Sequence, residues 1–416
     1  MRQKIILILF FIGMSTAYAQ NSIQEQLDSI KVEISTLKKT ENSHFKLRGF
    51  AQFGLDASSD NASFNMTSFN PILLWRLGNK FLFESEIEME YMDNQYNLSL
   101  GYANASYLVA NGITIKVGKI LVPFGVFGEK LHPSWVNKLS DAPLGLGHDN
   151  GMLPMADIGV EIRGGMQLGL SKLSYSVYAV NGPRIKDGTT SQTEAGMLSY
   201  ENFNDNNKNK AIGSRIGFLP FSNSCMEIGF SAYYAKPGAV NSPFANDTLN
   251  MDMNYKDVKA ILSAIDFSFV KTITPISGLI DIKSQYNNSN VSDATYLNPD
   301  TSGMIKAARY TFKNNSNAFY LQVAYRPTLI NNNILKNIEF VGRYSNYNTP
   351  LGSLWYSQQS QLSYGINYWF SWRTVLKLGY QTTSGAPASM SMNTTNNMNM
   401  ATSTINMFQI YLATGL

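Results

Sequence analysis

The stretch KFLFESEIEMEYM, residues 80–92, alternates in a way that decides the fold. Phe81, Phe83, Ile87, Met89 and Tyr91 share one parity, and Glu84, Glu86, Glu88 and Glu90 share the other. Successive side chains of an extended chain point to opposite faces, so this segment has one oily face and one face of four carboxylates. The core between two packed sheets has no place for the acidic face. A wall that separates lipid from water accommodates both.

Outward from this strand the same grammar continues. Strand-like segments fall near 45–57, 67–78, 80–92, 96–109, 112–120, 157–168, 172–182, 210–219, 225–235, 258–270, 278–288, 316–327, 336–346, 361–370, 373–383 and 405–415. Short breaks rich in Gly, Asn, Pro and Ser (78–80, 110–112, 169–171, 220–224, 271–277, 328–335, 371–372) take turns with long ones, among them 121–156, 183–209, 236–257, 289–315 and 384–404. Short turns on one side and long loops on the other, with an even number of strands, predict a sixteen-stranded antiparallel transmembrane β-barrel over 44–416. Phe319, Leu321, Val323 and Tyr325 are expected to face out, as are Leu362, Tyr364, Ile366, Tyr368, Phe370, Leu376, Leu378 and Tyr380. Trp75, Tyr91, Tyr107, Trp372, Tyr380 and Tyr411, near strand ends, fit aromatic girdles. The competing all-β architecture, a large soluble sandwich, has little use for such strands together with an export signal.

That signal is at the start. Arg2 and Lys4 precede an apolar run from Ile5 to Ile12, and Ala17-Tyr18-Ala19 precedes Gln20, which predicts a signal peptide over 1–19. The run is too short to span a bilayer as a retained anchor. Beyond it no apolar stretch of spanning length remains and mean hydropathy is slightly negative, which excludes a helical membrane protein but not a barrel with a polar lumen. Losing Arg2 and Lys4 lowers the formal charge from +4 to +2, a balance that argues against nucleic acid as a partner. The single Cys225 has no internal disulfide partner and lies far from any lipid-attachment position.

Residues 20–43 have a different period. Ile23, Leu27, Ile30, Ile34 and Leu37 recur at spacings of 4, 3, 4 and 3, a heptad seam. So short a helix is marginal alone and is stabilised by self-association, and Ile at several seam positions favours more than two strands. The expectation is a periplasmic coiled-coil helix that helps assemble a homotrimer in outer-membrane lipid. The alternative is an amphipathic arm on the lower rim.

Parity also sorts the lumen charges. Lys46, Arg48 and Arg76 precede the row of Glu84, Glu86, Glu88 and Glu90, and opposed charges across a water-filled constriction would set up a transverse field. A solvated ion-pair wall explains the same residues. Further inward candidates are Lys116, Arg163, Arg215, Lys283, Arg326, Arg343 and Lys377, against Asp56, Glu161, Glu227, Asp266, Asp281 and Glu339. The two signs balance, so bulk lumen charge predicts no ion preference.

The long segment after strand five, KILVPFGVFGEKLHPSWVNKLSDAPLGLGHDNGMLPMAD over 119–157, is stiffened by four prolines and carries Leu121, Phe124, Phe127, Leu131, Trp135, Val136, Leu139 and Leu144 to pack with. It is expected to fold into the lumen as a constriction loop over about 121–156. The run VGKILVPFGVFGEKLHPSW, with APLGLGHDNGMLPMADIGVEIRGG and VYAVNGPRIKDG after it, resembles outer-membrane porins of the phosphate-selective O/P family. That resemblance implies a trimeric sixteen-stranded channel whose third extracellular loop narrows the pore and whose basic residues guide anions such as phosphate. The matched positions are Lys119 beside the PFG motif, with Lys130, His132 and Lys138 inside the loop; Arg163, placed inward by parity on the strand that follows, joins them as an expected anion-attracting residue. The chain departs from that pattern in lacking a dense arginine ladder and in setting Glu129, Asp141 and Asp149 among the basic residues.

No other chemistry competes. His132, His148, Asp149 and Asp157 match no compact metal-ligand spacing, and no nucleophile elbow or zinc-protease helix occurs, so neither a metal, a cofactor nor an enzymatic activity is expected. The leading reading is a passive porin for small polar or anionic solutes. The alternatives are a porin for neutral oligosaccharides, with Phe124, Phe127 and Trp135 stacking on sugar faces, and a surface adhesin whose loops bind a partner.

Overall fold

A computed structural model describes residues 44–92, 95–147, 152–187, 192–200, 205, 207–238, 255–298, 308–386 and 403–416. The expected signal peptide over 1–19 and coiled-coil arm over 20–43 lie outside these residues, as do His148 and Asp149. Sixteen strands close into one antiparallel barrel. In chain order they are β1 Phe45–Ala57, β2 Ala62–Leu77, β3 Phe81–Met92, β4 Gln95–Ala110, β5 Ile113–Leu121, β6 Ala156–Leu168, β7 Ser171–Val180, β8 Ala211–Leu219, β9 Met226–Ala235, β10 Ala260–Ile273, β11 Gly278–Val291, β12 Asn314–Arg326, β13 Ile338–Asn348, β14 Gln358–Trp369, β15 Thr374–Ala386 and β16 Ser403–Gly415. Each pairs with its sequence neighbours, and β16 returns to β1 in a register that runs from Phe50↔Gly415 to Ala57↔Phe408. Closure leaves no sheet edge, the condition for placing strands in lipid.

All sixteen expected strands are present. The largest boundary difference is in β2, which begins at Ala62 rather than 67, so the first connection on the long-loop side is only 58–61. The mixed letters of 62–66 show no clear alternation and read as loop, but Ala62, Ser63 and Phe64 pair with β1 across a register shift between Phe53 and Leu55. Such a bulge breaks the alternation by which a strand is recognised.

The outer wall is apolar. Phe53, Trp75, Leu321, Val323, Tyr364, Ile366 and Leu378 are all exposed on it, and Trp75, Tyr91, Tyr107 and Trp372 sit toward its ends, whereas the expected girdle residue Tyr380 is exposed at the middle of β15. Tyr411 departs from the expected girdle. Its register with Lys377 on β15 turns it inward, where it is 1% exposed and its hydroxyl donates to Asp56 Oδ2 at 2.8 Å. The core of the molecule lies inside the barrel. Ile120, Phe124, Phe127, Tyr178, Leu262, Tyr296, Tyr320 and Trp355 belong to one buried apolar cluster, built from lumen-facing wall residues, the loop after β5 and the longer connections. Two small ladders, Arg184–Ile185 with Leu198–Ser199 and Thr295–Asn298 with Ala308–Thr311, stiffen those connections.

Candidate pore and its constriction loop

The chain between β5 and β6 folds into the lumen, as its apolar residues and prolines lead one to expect. Val122 N–H donates to Met155 O at 2.9 Å and closes the neck of the loop. From there the chain runs across the lumen to a neighbouring part of the wall, where Gly125 N–H donates to Ser231 on β9 and the Val126 and Phe127 N–H groups share Gln285 Oε1 on β11. Gly125 has φ +66°, and a Cβ there would come within 2.0 Å of Gln285 Nε2, so only glycine lets the backbone close on that side chain. Phe124 packs edge-on against Tyr233, and Phe127 against Tyr320. Both rings are buried, which leaves them no free face for a sugar. One π-helical turn, Phe127–Leu131, then takes the chain toward the short-turn end, where Trp135 meets Trp372 edge-on at 6.0 Å and lies over Gly415.

The return limb is anchored by charge. Lys377 of β15, 2% exposed, donates to the carbonyls of Ser134, Asn137 and Leu139 at 2.5, 2.6 and 3.1 Å. Arg343 of β13, equally buried, donates to Asp141 O at 2.8 Å and Ala142 O at 3.3 Å. Gln381 and Gln409 both donate to Asp141 Oδ2 at 2.9 Å, and Asn367 donates to Lys138 O at 2.8 Å. A proline-broken loop has backbone carbonyls with no ladder to join, and these wall side chains supply the donors. Parity identifies Lys377 and Arg343 as inward cations in the sequence; that they hold the loop rather than face water depends on neighbours more than 200 residues away.

The expected pore residues divide into three groups. Lys130, His132, Lys138 and Arg163 come to the lumen, each beside a carboxylate. Lys130 Nζ is 3.0 Å from Glu227, Lys138 Nζ is 2.7 Å from Glu339 and 3.8 Å from Asp281, and His132 Nε2 is 3.9 Å from Glu86. Arg163 is bracketed by Glu129 of the loop and Glu161 of its own strand. Lys119 does not join them. Its register with Ala103 and Ile158 puts it on the parity of outward-facing Val117, and its ammonium donates to Leu100 O. The reason is the even-odd rule itself, since Lys116 and Gly118 already occupy the inward positions of β5.

The charge rows form the third group. Glu84, Glu86, Glu88 and Glu90 lie along the inner face of β3. Glu84 pairs with Lys116 at 3.2 Å, Glu86 accepts from Asn70 Nδ2 at 3.2 Å, and Glu88 accepts from Ser99 at 2.7 Å. Lys46 is in register with Leu74 and then Glu84, and Arg48 with Ile72 and then Glu86. Two apolar side chains of β2 therefore stand between the rows, a separation of about 10 Å across two strand spacings. Arg76 sits at the short-turn rim, donating to Gly78 O and Asn79. On the far wall, unsought by sequence reasoning as a unit, Arg215 bridges Asp266 at 2.6 Å and Glu227 at 3.0 Å.

No family model and no curated protein matches the sequence. Solved structures do. OprB of Pseudomonas putida aligns with 92% of this chain and 96% of its own at a TM-score of 0.57 and 8% identity. An anion-selective porin from Comamonas acidovorans aligns with 89% of this chain and 99% of its own at a TM-score of 0.53 and 11% identity. The outer-membrane channel DcaP of Acinetobacter baumannii gives 89%, 97%, 0.51 and 13% for the same quantities. At these identities the likeness is one of fold. Together with the closed wall and its apolar outer belt, it makes this chain an outer-membrane β-barrel of porin architecture.

Proposed function

We propose that the protein is a passive outer-membrane porin for small hydrophilic solutes. The observation that carries this reading is the loop over 122–155, folded inside a closed sixteen-stranded barrel and clamped to a charged inner wall. An adhesin needs neither an inserted loop nor ionised residues lining its interior. Solutes enter between the extracellular loops, pass the loop's lumen-facing edge and leave at the short-turn end, with no conformational cycle and no tight binding.

The charge balance supports weak rather than strong ion preference. Lys130, His132, Lys138 and Arg163 each face a carboxylate within 4 Å, so among the described residues the loop offers an anion no uncompensated cation of the kind a phosphate path requires. Phosphate selectivity of the O/P type and the anion selectivity of the Comamonas porin therefore stay with those proteins. Assembly as a homotrimer through a coil over 20–43 belongs to the same proposal, and cross-linking of mature chains with and without those residues tests it.

Planar-bilayer recording in a KCl gradient tests the channel itself. Discrete current steps with a reversal potential near zero are expected. A strongly anion-selective potential with block by phosphate would restore the phosphate reading, and absence of steps would remove the porin.

A further inference from the structure

We infer that the wall around Glu86 is a resting site for small solutes carrying a protonated amine or guanidinium group. This deepens the porin reading and rests on it. Glu86 is 1% exposed at the inner face of β3. One carboxylate oxygen accepts from Asn70 Nδ2 at 3.2 Å, the other faces His132 Nε2 at 3.9 Å, and Tyr102 of β4 is in register with Glu86. Asn70 is 4% exposed, yet its Oδ1 has no partner, and His132 Nδ1 has none either. A buried acceptor without a donor is costly, and Asn70 Oδ1 is one beside this carboxylate.

The one donor to spare in this set is the N–H of His132, set against the Glu86 carboxylate and Asn70 Oδ1, so acceptors outnumber donors. The nearest charged groups are Glu84 and Glu88 on the same strand, Lys116, which is engaged by Glu84, and Arg48, two strands away behind Ile72. An anion would meet carboxylates and amide oxygens; an ammonium or guanidinium would meet acceptors of matching geometry. Phe50, whose ring lies edge-on to His132 at 6.4 Å, and Tyr102 add aromatic surface that favours a cation. The partly exposed Glu84 and Lys116 are the approach from the short-turn side.

The test is block of single-channel current by guanidinium, with glucose and phosphate as controls, in the native protein, Glu86→Gln and Asn70→Ala, each first shown to be folded by its heat-dependent gel mobility. Guanidinium is expected to block the native channel. Its half-blocking concentration should rise about tenfold in Glu86→Gln and less in Asn70→Ala, the loss of one charge-assisted hydrogen bond in the first case. Equal block in all three proteins, or stronger block by phosphate than by guanidinium, overturns the site. If Glu86→Gln does not fold, the comparison of Asn70→Ala with native decides. Calorimetric titration of guanidinium into the detergent-folded protein separates the two levels: heat that disappears in the variants without any current steps sinks the porin and keeps the site, whereas steps without such heat do the reverse.

Discussion

Replacing Lys377 by Met removes the ammonium at the centre of the loop's anchored limb while keeping most of its length. Three carbonyls, those of Ser134, Asn137 and Leu139, then lose a charged donor in a place closed to water. Each orphaned acceptor costs about 1–3 kcal/mol, and relief from holding an ammonium out of water offsets part of the total, leaving about 3 kcal/mol of local stability lost. At 1.4 kcal/mol per factor of ten, the limb should leave the wall about 100-fold more often. Ser140→Cys, placed within that limb, reports the opening through its rate of thiol labelling in a Cys225→Ser background that removes the single native thiol. Labelling about 100-fold faster, with longer and noisier open current levels, is expected for Lys377→Met. A change of less than about threefold would show that packing alone holds the limb and that the magnitude reasoned here from hydrogen bonds is wrong.

Other perturbations probe the wall. Glu339→Ala strands Lys138 and the Trp369 indole N–H, which the carboxylate accepts at 2.7 and 3.1 Å, and should cost about 3–5 kcal/mol in urea unfolding. Gly49→Val sets a side chain 2.3 Å from Asn70 O at φ +146°, so β1 and β2 should fail to pair and the heat-shifted folded band should vanish from gels. Ile366→Arg puts a charge on the lipid face between Phe340 and Leu378 and should destabilise the barrel by about 2–4 kcal/mol in vesicle-based unfolding.

How much of this was legible in the sequence follows from the range of the interactions. A strand's faces are written in its own letters, so β3 and its glutamates, β12 and the strands of 361–383 were read correctly from parity. Bulges hide from that rule, and β2 lost its first residues to one. Lys119 was misplaced because a motif resemblance overrode parity, which puts Ile115, Val117 and Lys119 on one side. Tyr411 was misread for a similar reason: closeness to a strand end suggested a girdle, while its parity, opposite to outward Phe408 and Leu412, points inward. The pairing of Lys130 with Glu227 and of Lys138 with Glu339 spans 97 and 201 residues. No local pattern encodes such partners, so the sequence displayed the loop's positive charges and concealed their neutralisation.

The closed register between β1 and β16 also sets an order of events. Until residues 403–416 arrive, Phe50 to Ala57 present an unpaired edge, and lipid offers no water to satisfy it. The inserted loop waits as well. Its neck forms with β6, but Ser134, Asn137, Lys138, Leu139, Asp141 and Ala142 find their partners at Glu339, Arg343, Lys377, Gln381 and Gln409, up to 268 residues later. Contacts that distant are made last, because the chain between must be ordered before they repay its entropy. The narrowing of this barrel is thus completed by its final quarter: a chain stopped before β13 carries the whole loop and has no wall on which to hang its return limb.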